Sequence, residues 1–333
     1  MKTLYIALLI LVALPLMADR IVPMPDVLNP ETISMDNKQL YITENANVYI
    51  YSLKDFKLIR KFGKAGSGPK EFLVNAQSRL FLDSQGKNLL ISSQLKVSTF
   101  SKKGDYIKEN RTAGLFTGFF RPIGDQFAGT RLIIENNVMN VAVHLYSKDF
   151  KVGKQLFKQP HIFQQGRKMN PVGRFLLFTT YQDRIYVEDS EGKIHIFDGK
   201  GSKQMTLSPT YTALKLSSEH KKEILNFYKN DPQIKQFWNF FKDNLEFPSH
   251  FPNIRFANVM DDRIFIQTWR VKDKKSEFLI YGIDGNFKKK VYILLPDVAI
   301  MSRNAYAVHK NQIYQFKENI EEEQWELHIL DIK

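Results

Sequence analysis

LYITENANVYIYSLKDF, Leu40 to Phe56, holds two short runs of apolar and β-branched residues, one on each side of Asn45-Ala46-Asn47, and ends in Lys54-Asp55-Phe56. Alternating side chains over five or six positions mark half-buried strands, and a short polar link between two of them predicts a hairpin. The unit returns five times. Its first strand reads LLISS at Leu89, LIIEN at Leu132, IYVED at Ile185, IFIQT at Ile264 and IYQFK at Ile313. The partners are VSTFS at Val97, VAVHLYS at Val141, IHIFD at Ile194, FLIYGID at Phe278 and LHILDI at Leu327. Successive first strands lie 49, 43, 53, 79 and 49 residues apart. One four-stranded antiparallel blade needs roughly 40–50 residues, so six units predict an all-β fold, a six-bladed β-propeller.

The inner strand of each blade is expected about ten residues before its marker. Candidates are TISMD at Thr32, RLFLD at Arg79, FFRPIGD at Phe119, GRFLLFTT at Gly173, IRFANVMD at Ile254 and AIMSR at Ala299. The last unit ends after its third strand. RIVPMP, Arg20 to Pro25, is the remaining strand-like segment, and pairing it with the last unit would close the ring and remove an exposed edge.

The stretch FGKAGSGPKEF (Phe62 to Phe72), followed by RLFLDSQGKNLLIS (Arg79 to Ser92), resembles the NHL-type repeat of exported bacterial six-bladed β-propellers. MDDRIFIQ and YQDRIYVED keep only the strand part of that repeat. The resemblance implies the fold; propellers host binders and enzymes alike. Related six-bladed folds include calcium-dependent lactonases, which need several Glu, Asp and Asn converging in the central channel. No such inward set stands out in this sequence.

The chain has 333 residues, enough for two ordinary domains or one large repetitive one. Hydrophobic residues make up 43%, charged residues 25% and aromatics 13%, a globular and β-favouring composition. Lys and Arg outnumber Asp and Glu by 48 to 35. The Lys runs fall beside outer strands, where charge protects a blade edge, and no nucleic-acid motif accompanies them. Cysteine is absent, which excludes disulfides, thiol catalysis and Cys-ligated zinc.

Residues 1–18 read as a secretory signal peptide. Lys2 precedes an apolar run, Leu4 to Met17, that is shorter than the ~20 residues needed to span a bilayer, and Ala18 is a small exit residue. The expectation is a periplasmic or secreted protein, residues 19–333, with no membrane insertion after cleavage.

The 79-residue spacing holds an insert, about 214–251, that reads as a helical hairpin between blades 4 and 5. Ser217 and Ser218 are cap candidates for its first helix, and Asp231 with Pro232 for its second. Ile234, Phe237, Trp238 and Phe241 fall on one helical stripe, widened by Phe240. The stripe either packs on the propeller or forms a lid, followed by the rigid FPSHFP, Phe247 to Pro252. Insertions on one face of a repeat array commonly mark the binding face.

Catalytic motifs are missing: there is no HxxxH or HxH pair, no GxSxG elbow and no Walker loop. No catalytic residue, metal site or cofactor is assigned. One register stands out instead. Arg79, Arg121, Arg174, Arg255 and Arg303 sit at or near the inner strand in five of six blades, and blade 1 has Pro30-Glu31 there. Guanidinium groups at one mouth need carboxylates or an anionic ligand. Either each bonds to a neighbouring blade, or they form an anion-binding mouth with Trp238 or Phe251 covering it. The function expected is a non-enzymatic binding module for an anionic small molecule, a saccharide or an extracytoplasmic protein partner, not for nucleic acid. A calcium-dependent hydrolase, lactonase or lyase using the central channel is the alternative.

Overall fold

The computed structural model describes residues 20–333 apart from 75–78, 85, 94–95, 113–119, 163, 165, 174–175, 232–233, 297–299 and 303–304. The signal-peptide expectation therefore lies outside the described residues. The first strand, β1 (Arg20–Pro23), belongs to the last blade. Blade 1 is β2 (Thr32–Met35), β3 (Gln39–Glu44), β4 (Asn47–Ser52) and β5 (Leu58–Phe62). Blade 2 is β6 (Phe81–Asp83), β7 (Leu89–Ser93), β8 (Lys96–Phe100) and β9 (Tyr106–Arg111). Blade 3 is β10 (Phe120–Ile123), β11 (Gln126–Glu135), β12 (Val138–Tyr146) and β13 (Val152–Pro160). In blade 4 come β14 (Leu177–Tyr181), β15 (Arg184–Glu188), β16 (Ile194–Asp198) and β17 (Lys203–Leu207). Blade 5 has β18 (Phe256–Met260), β19 (Arg263–Lys272), β20 (Lys275–Gly282) and β21 (Phe287–Leu294). Blade 6 has β22 (Tyr306–His309), β23 (Gln312–Asn319) and β24 (Gln324–Asp331).

Each blade is a four-stranded antiparallel sheet, and the sixth is completed by β1 beside β24. Arg20 faces Ile329 and Pro23 faces Glu326. The closure expected from RIVPMP is present, carried by its first four residues. The Met24 amide then donates to the Trp325 carbonyl at 2.8 Å, and the Trp325 indole N–H donates to the Leu28 carbonyl at 2.8 Å.

Five inner strands fall where the spacing puts them. The sixth does not: the strand is Tyr306–His309 rather than AIMSR at Ala299. Tyr306, Ala307 and Val308 are buried and lead directly into the tight turn at Lys310-Asn311, whereas Ile300 and Met301 pack under the insert. Periodicity alone cannot choose between two apolar runs of equal length; the hairpin turn does.

The core is divided into wedges between blades. Phe265 and Phe278 of blade 5 meet Ile313 of blade 6 in one wedge, and Tyr41 and Ile50 of blade 1 meet Leu89 and Ile91 of blade 2 in another. Toward one end of the β3, β7 and β15 strands the buried side chains become polar: Thr43, Glu44, Ser92, Glu188 and Asp189. These ends lie beside the irregular connections from each outer strand to the next inner strand. Backbone amides in such connections need partners once buried. Glu44 Oε1 accepts from the Leu28 amide at 2.8 Å, and the Phe120 amide donates to Ser92 Oγ at 3.2 Å. The face bearing these crossings, together with the turns between the second and third strands, is called the upper face below.

Candidate functional site

The insert between β17 and β18 dominates the upper face. Its first helix, α1 (Ser218–Asn230), starts in a capping box: Ser217 Oγ accepts the His220 amide, and His220 Nδ1 accepts the Ser217 amide. Asp231 ends this helix, and its carbonyl accepts the Ile234 and Lys235 amides of the segment that follows. A single 3₁₀ turn, Lys235–Phe237, precedes the six-residue α2 (Trp238–Asp243). A 3₁₀ turn advances 120° per residue rather than 100°, so the expected continuous stripe breaks. Phe237 and Phe240 are 60% and 77% exposed, while Trp238 is half-buried and Phe241 packs 5.2 Å from Tyr228.

The base of the insert is tied shut. The Leu216 amide donates to the Ser249 carbonyl and the Phe251 amide to the Leu214 carbonyl. The insert also grips the crossing from blade 3 to blade 4. Met169 donates to the Asn244 carbonyl at 2.8 Å and accepts from the Glu246 amide at 2.9 Å, and Tyr228 donates its hydroxyl to the Pro171 carbonyl at 2.8 Å.

Between these segments lies a cavity of about 360 Å³. Its polar wall is Lys168, Asn170, Ser190 and His250; Phe251 and the prolines 248 and 252 form much of the apolar side. Three separate parts of the chain supply it: the blade 3–4 crossing, the β15–β16 turn and the end of the insert. Each is braced. Asn170 Oδ1 accepts the Val172 amide at 3.0 Å, and a Cβ on lining residue Gly173 would lie 2.9 Å from the Asn170 carbonyl, so the wall has no room for a larger residue. The Ser190 amide donates to Gln159 Oε1 at 2.9 Å. Its neighbour Asp189 accepts the Glu191 and Lys193 amides and lies 2.8 Å from His195 Nε2, whose ring stacks 4.5 Å over Phe157. Ser249 Oγ lies 2.9 Å from His250 Nδ1. Lys168, Asn170 and His250 are exposed to solvent, so the cavity presents cationic and hydrogen-bonding groups around an apolar floor.

The arginine register divides. Arg121 Nη1 donates to Asp83 Oδ2 of blade 2 at 2.9 Å. Arg255 Nη2 donates to the Ile300 and Ser302 carbonyls at 3.0 and 3.2 Å, and its guanidinium lies 5.3 Å over the Trp269 ring. Burial holds the Arg255 guanidinium below its usual value, with Glu223 acting the other way. Arg79 is exposed and faces the blade 1 counterpart of the register: burial raises the Glu31 carboxyl and the Arg79 charge opposes the rise. Arg174 and Arg303 lie outside the described residues. Of the two aromatic candidates, Phe251 is 3% exposed, stacks 4.4 Å from Trp269 and lines the cavity. Trp238 is absent from the cavity lining.

Lys168, Asn170, Ser190 and His250 were not singled out in the sequence. Their only signals were the Gly-, Pro- and Asn-rich stretch QQGRKMNPVG at Gln164 and the His within FPSHFP. Among the described residues, no group of three or more His, Asp or Glu is arranged to hold a metal ion, and no helix is long and apolar enough to cross a membrane.

A family described as a six-bladed β-propeller, DUF5128, matches residues 26–186, just under half of the chain. Among solved structures, the fold is similar to that of a candidate exported protein of Bacteroides fragilis, with 13% identity, 95% of each chain covered and a TM-score of 0.56. A member of the DUF4221 family from Bacteroides vulgatus has 12% identity over 95% of this chain and 96% of its own, with a TM-score of 0.48. No curated protein matches by sequence. At 13% identity the first of these likenesses speaks for the fold alone.

Proposed function

We propose that the chain is an exported propeller of the NHL-like repeat type that binds a small anionic molecule, such as an acidic saccharide, in the cavity beside the helical insert. The observation that carries this reading is the composition of the braced cavity wall: Lys168 and His250 beside Asn170 and Ser190, over Phe251 and two prolines. A site of this kind, apolar with a few placed polar groups, suits a carboxylate or phosphate on a compact ligand.

Inorganic phosphate and glucuronate are the probes. One of them raises the melting temperature of the wild type, and the gain disappears in Lys168→Ala/His250→Ala while the ligand-free melt is unchanged. If neither probe shifts the wild-type melt, the small-anion reading falls. Export is tested separately, by cell fractionation and N-terminal sequencing; extracytoplasmic protein that starts at Asp19 supports it, and protein confined to the cytoplasm with Met1 retained refutes it.

A further inference from the structure

Three hairpins rise above the upper face, because their second and third strands run on past the inner strand beside them. In blade 5 the inner strand pairs only as far as Gln267, yet β19 and β20 continue to Lys272 and Lys275. In blade 6 pairing with the inner strand ends at Gln315, and β23 and β24 continue to Asn319 and Gln324. Blade 3 has the third such arm.

The arms of blades 5 and 6 are neighbours, and they carry opposite charge. The first ends in Val271, Lys272, Asp273, Lys274 and Lys275, all exposed. The second ends in Ile320, Glu321, Glu322 and Glu323, also exposed. Each tip bears one aliphatic side chain in water: Val271 is 61% and Ile320 81% exposed. Both are stiff. Asp273 and Lys274 have φ of 50° and 61°, a two-residue hairpin turn, and Asn319 Oδ1 accepts the Glu321 and Glu322 amides at 3.2 Å. The bases are joined by Gln315, whose Nε2 donates to the Leu294 carbonyl at 2.8 Å. Among the described residues, the ion pairs of blade 5 stay within that blade, Lys288 with Asp284, Lys290 with Glu277 and Arg263 with Asp261, and none links the two tips.

We infer that these two arms form a self-complementary surface for a second copy of this chain. A two-fold rotation about an axis between the arms sets each lysine tip against the partner's glutamate tip, and does so twice, which is the condition for an isologous contact. Val271 and Ile320 then lose water at the centre of the paired tips. The charge pattern selects this occupant. An anionic lipid surface or a nucleic acid would meet three adjacent carboxylates, and a cationic surface would meet the lysines. Two hairpin tips bury less than a standard interface, so the dimer is weak, concentration-dependent and sensitive to salt.

The test is sedimentation velocity of the mature chain over a range of concentrations, at low and high salt. The wild type approaches the mass of two chains at low salt, and its dissociation constant weakens by about tenfold or more at high salt. Lys272→Glu/Lys274→Glu/Lys275→Glu makes both tips acidic, and Glu321→Lys/Glu322→Lys/Glu323→Lys makes both basic; each variant alone is monomeric, and circular dichroism shows it folded. Mixed in equal amounts, the two variants recover the dimer. A wild type that stays monomeric at low salt overturns the proposal, as does a dimer that survives either reversal or a mixture that stays monomeric.

Discussion

On the lower face the chain turns tightly and the turn residues satisfy one another; on the upper face it takes long crossings and leaves apolar groups in water. Asp261 accepts the Lys310 and Asn311 amides and pairs with Arg263, which also reaches Asn311. Ser52 and Ser147 each accept an amide inside the repeated Lys-Asp-Phe turn, and Phe56 adopts a positive φ there while its ring is buried. Among the described residues, the large apolar side chains exposed by 60% or more all belong to the other face: Leu28, Ile134, Phe237, Phe240, Val271 and Ile320. The contrast separates a face whose turns close on themselves from one that leaves its most exposed apolar side chains in water.

Breaking the ring should erase the contrast, and it is the largest effect expected. Deleting residues 20–23 leaves β24 as an open edge and removes the partner of Leu327 and Ile329, so both faces melt together, with a midpoint lower by about 10 °C or more. An unchanged melt would refute the role of β1. Next comes the crossing from blade 1 to blade 2. Gly63 has a φ of +100°, and a Cβ there would lie 2.3 Å from the Ala46 carbonyl, so Gly63→Ala should cost about 2 kcal/mol or more in denaturant unfolding.

A smaller effect depends on pH and belongs to the lower face. Burial works to raise the Asp36 and Asp261 carboxyls, but turn amides bind both, with Tyr41 and Lys102 at Asp36 and Arg263 at Asp261, and the net result is below the usual Asp value. A depressed folded value means stability that is full above the unfolded value and is lost as pH falls through the folded one. Asp36→Asn/Asp261→Asn should therefore flatten the melting temperature below about pH 4; an acid limb as steep as that of the wild type would assign the loss to other groups. The smallest change is expected at the upper face. Phe237→Ser/Phe240→Ser removes two side chains already in water and should leave stability within about 0.5 kcal/mol. A larger loss would show that the insert tip is part of the packing after all.

The propeller was legible because blades repeat a local signal. Ile185 to Asp198 shows alternation, a Gly turn and alternation again, and each depends only on neighbours in sequence. The sixth inner strand was misplaced because AIMSR and YAVH carry the same signal; only YAVH runs straight into a tight turn, at Lys310-Asn311. The cavity was illegible for another reason. Lys168, Ser190 and His250 come from three connections that share no period, and they meet only because Met169 pairs with the insert. The arginine register was visible as a position, but nothing local told Arg121 that its partner is Asp83, 38 residues earlier.

The seam between β1 and β24 also fixes an order of events. Every other strand pair joins segments that are consecutive along the chain, whereas this one waits for about 300 intervening residues. Closing so long a loop costs roughly 4 kcal/mol more in chain entropy than closing a hairpin. β1 is therefore made before every other strand of the ring and is the last of them to find its place. Until the final blade exists, the rest of the molecule is an arc with two raw ends, and such a thread is slow to lock and remains loose while it is still being made.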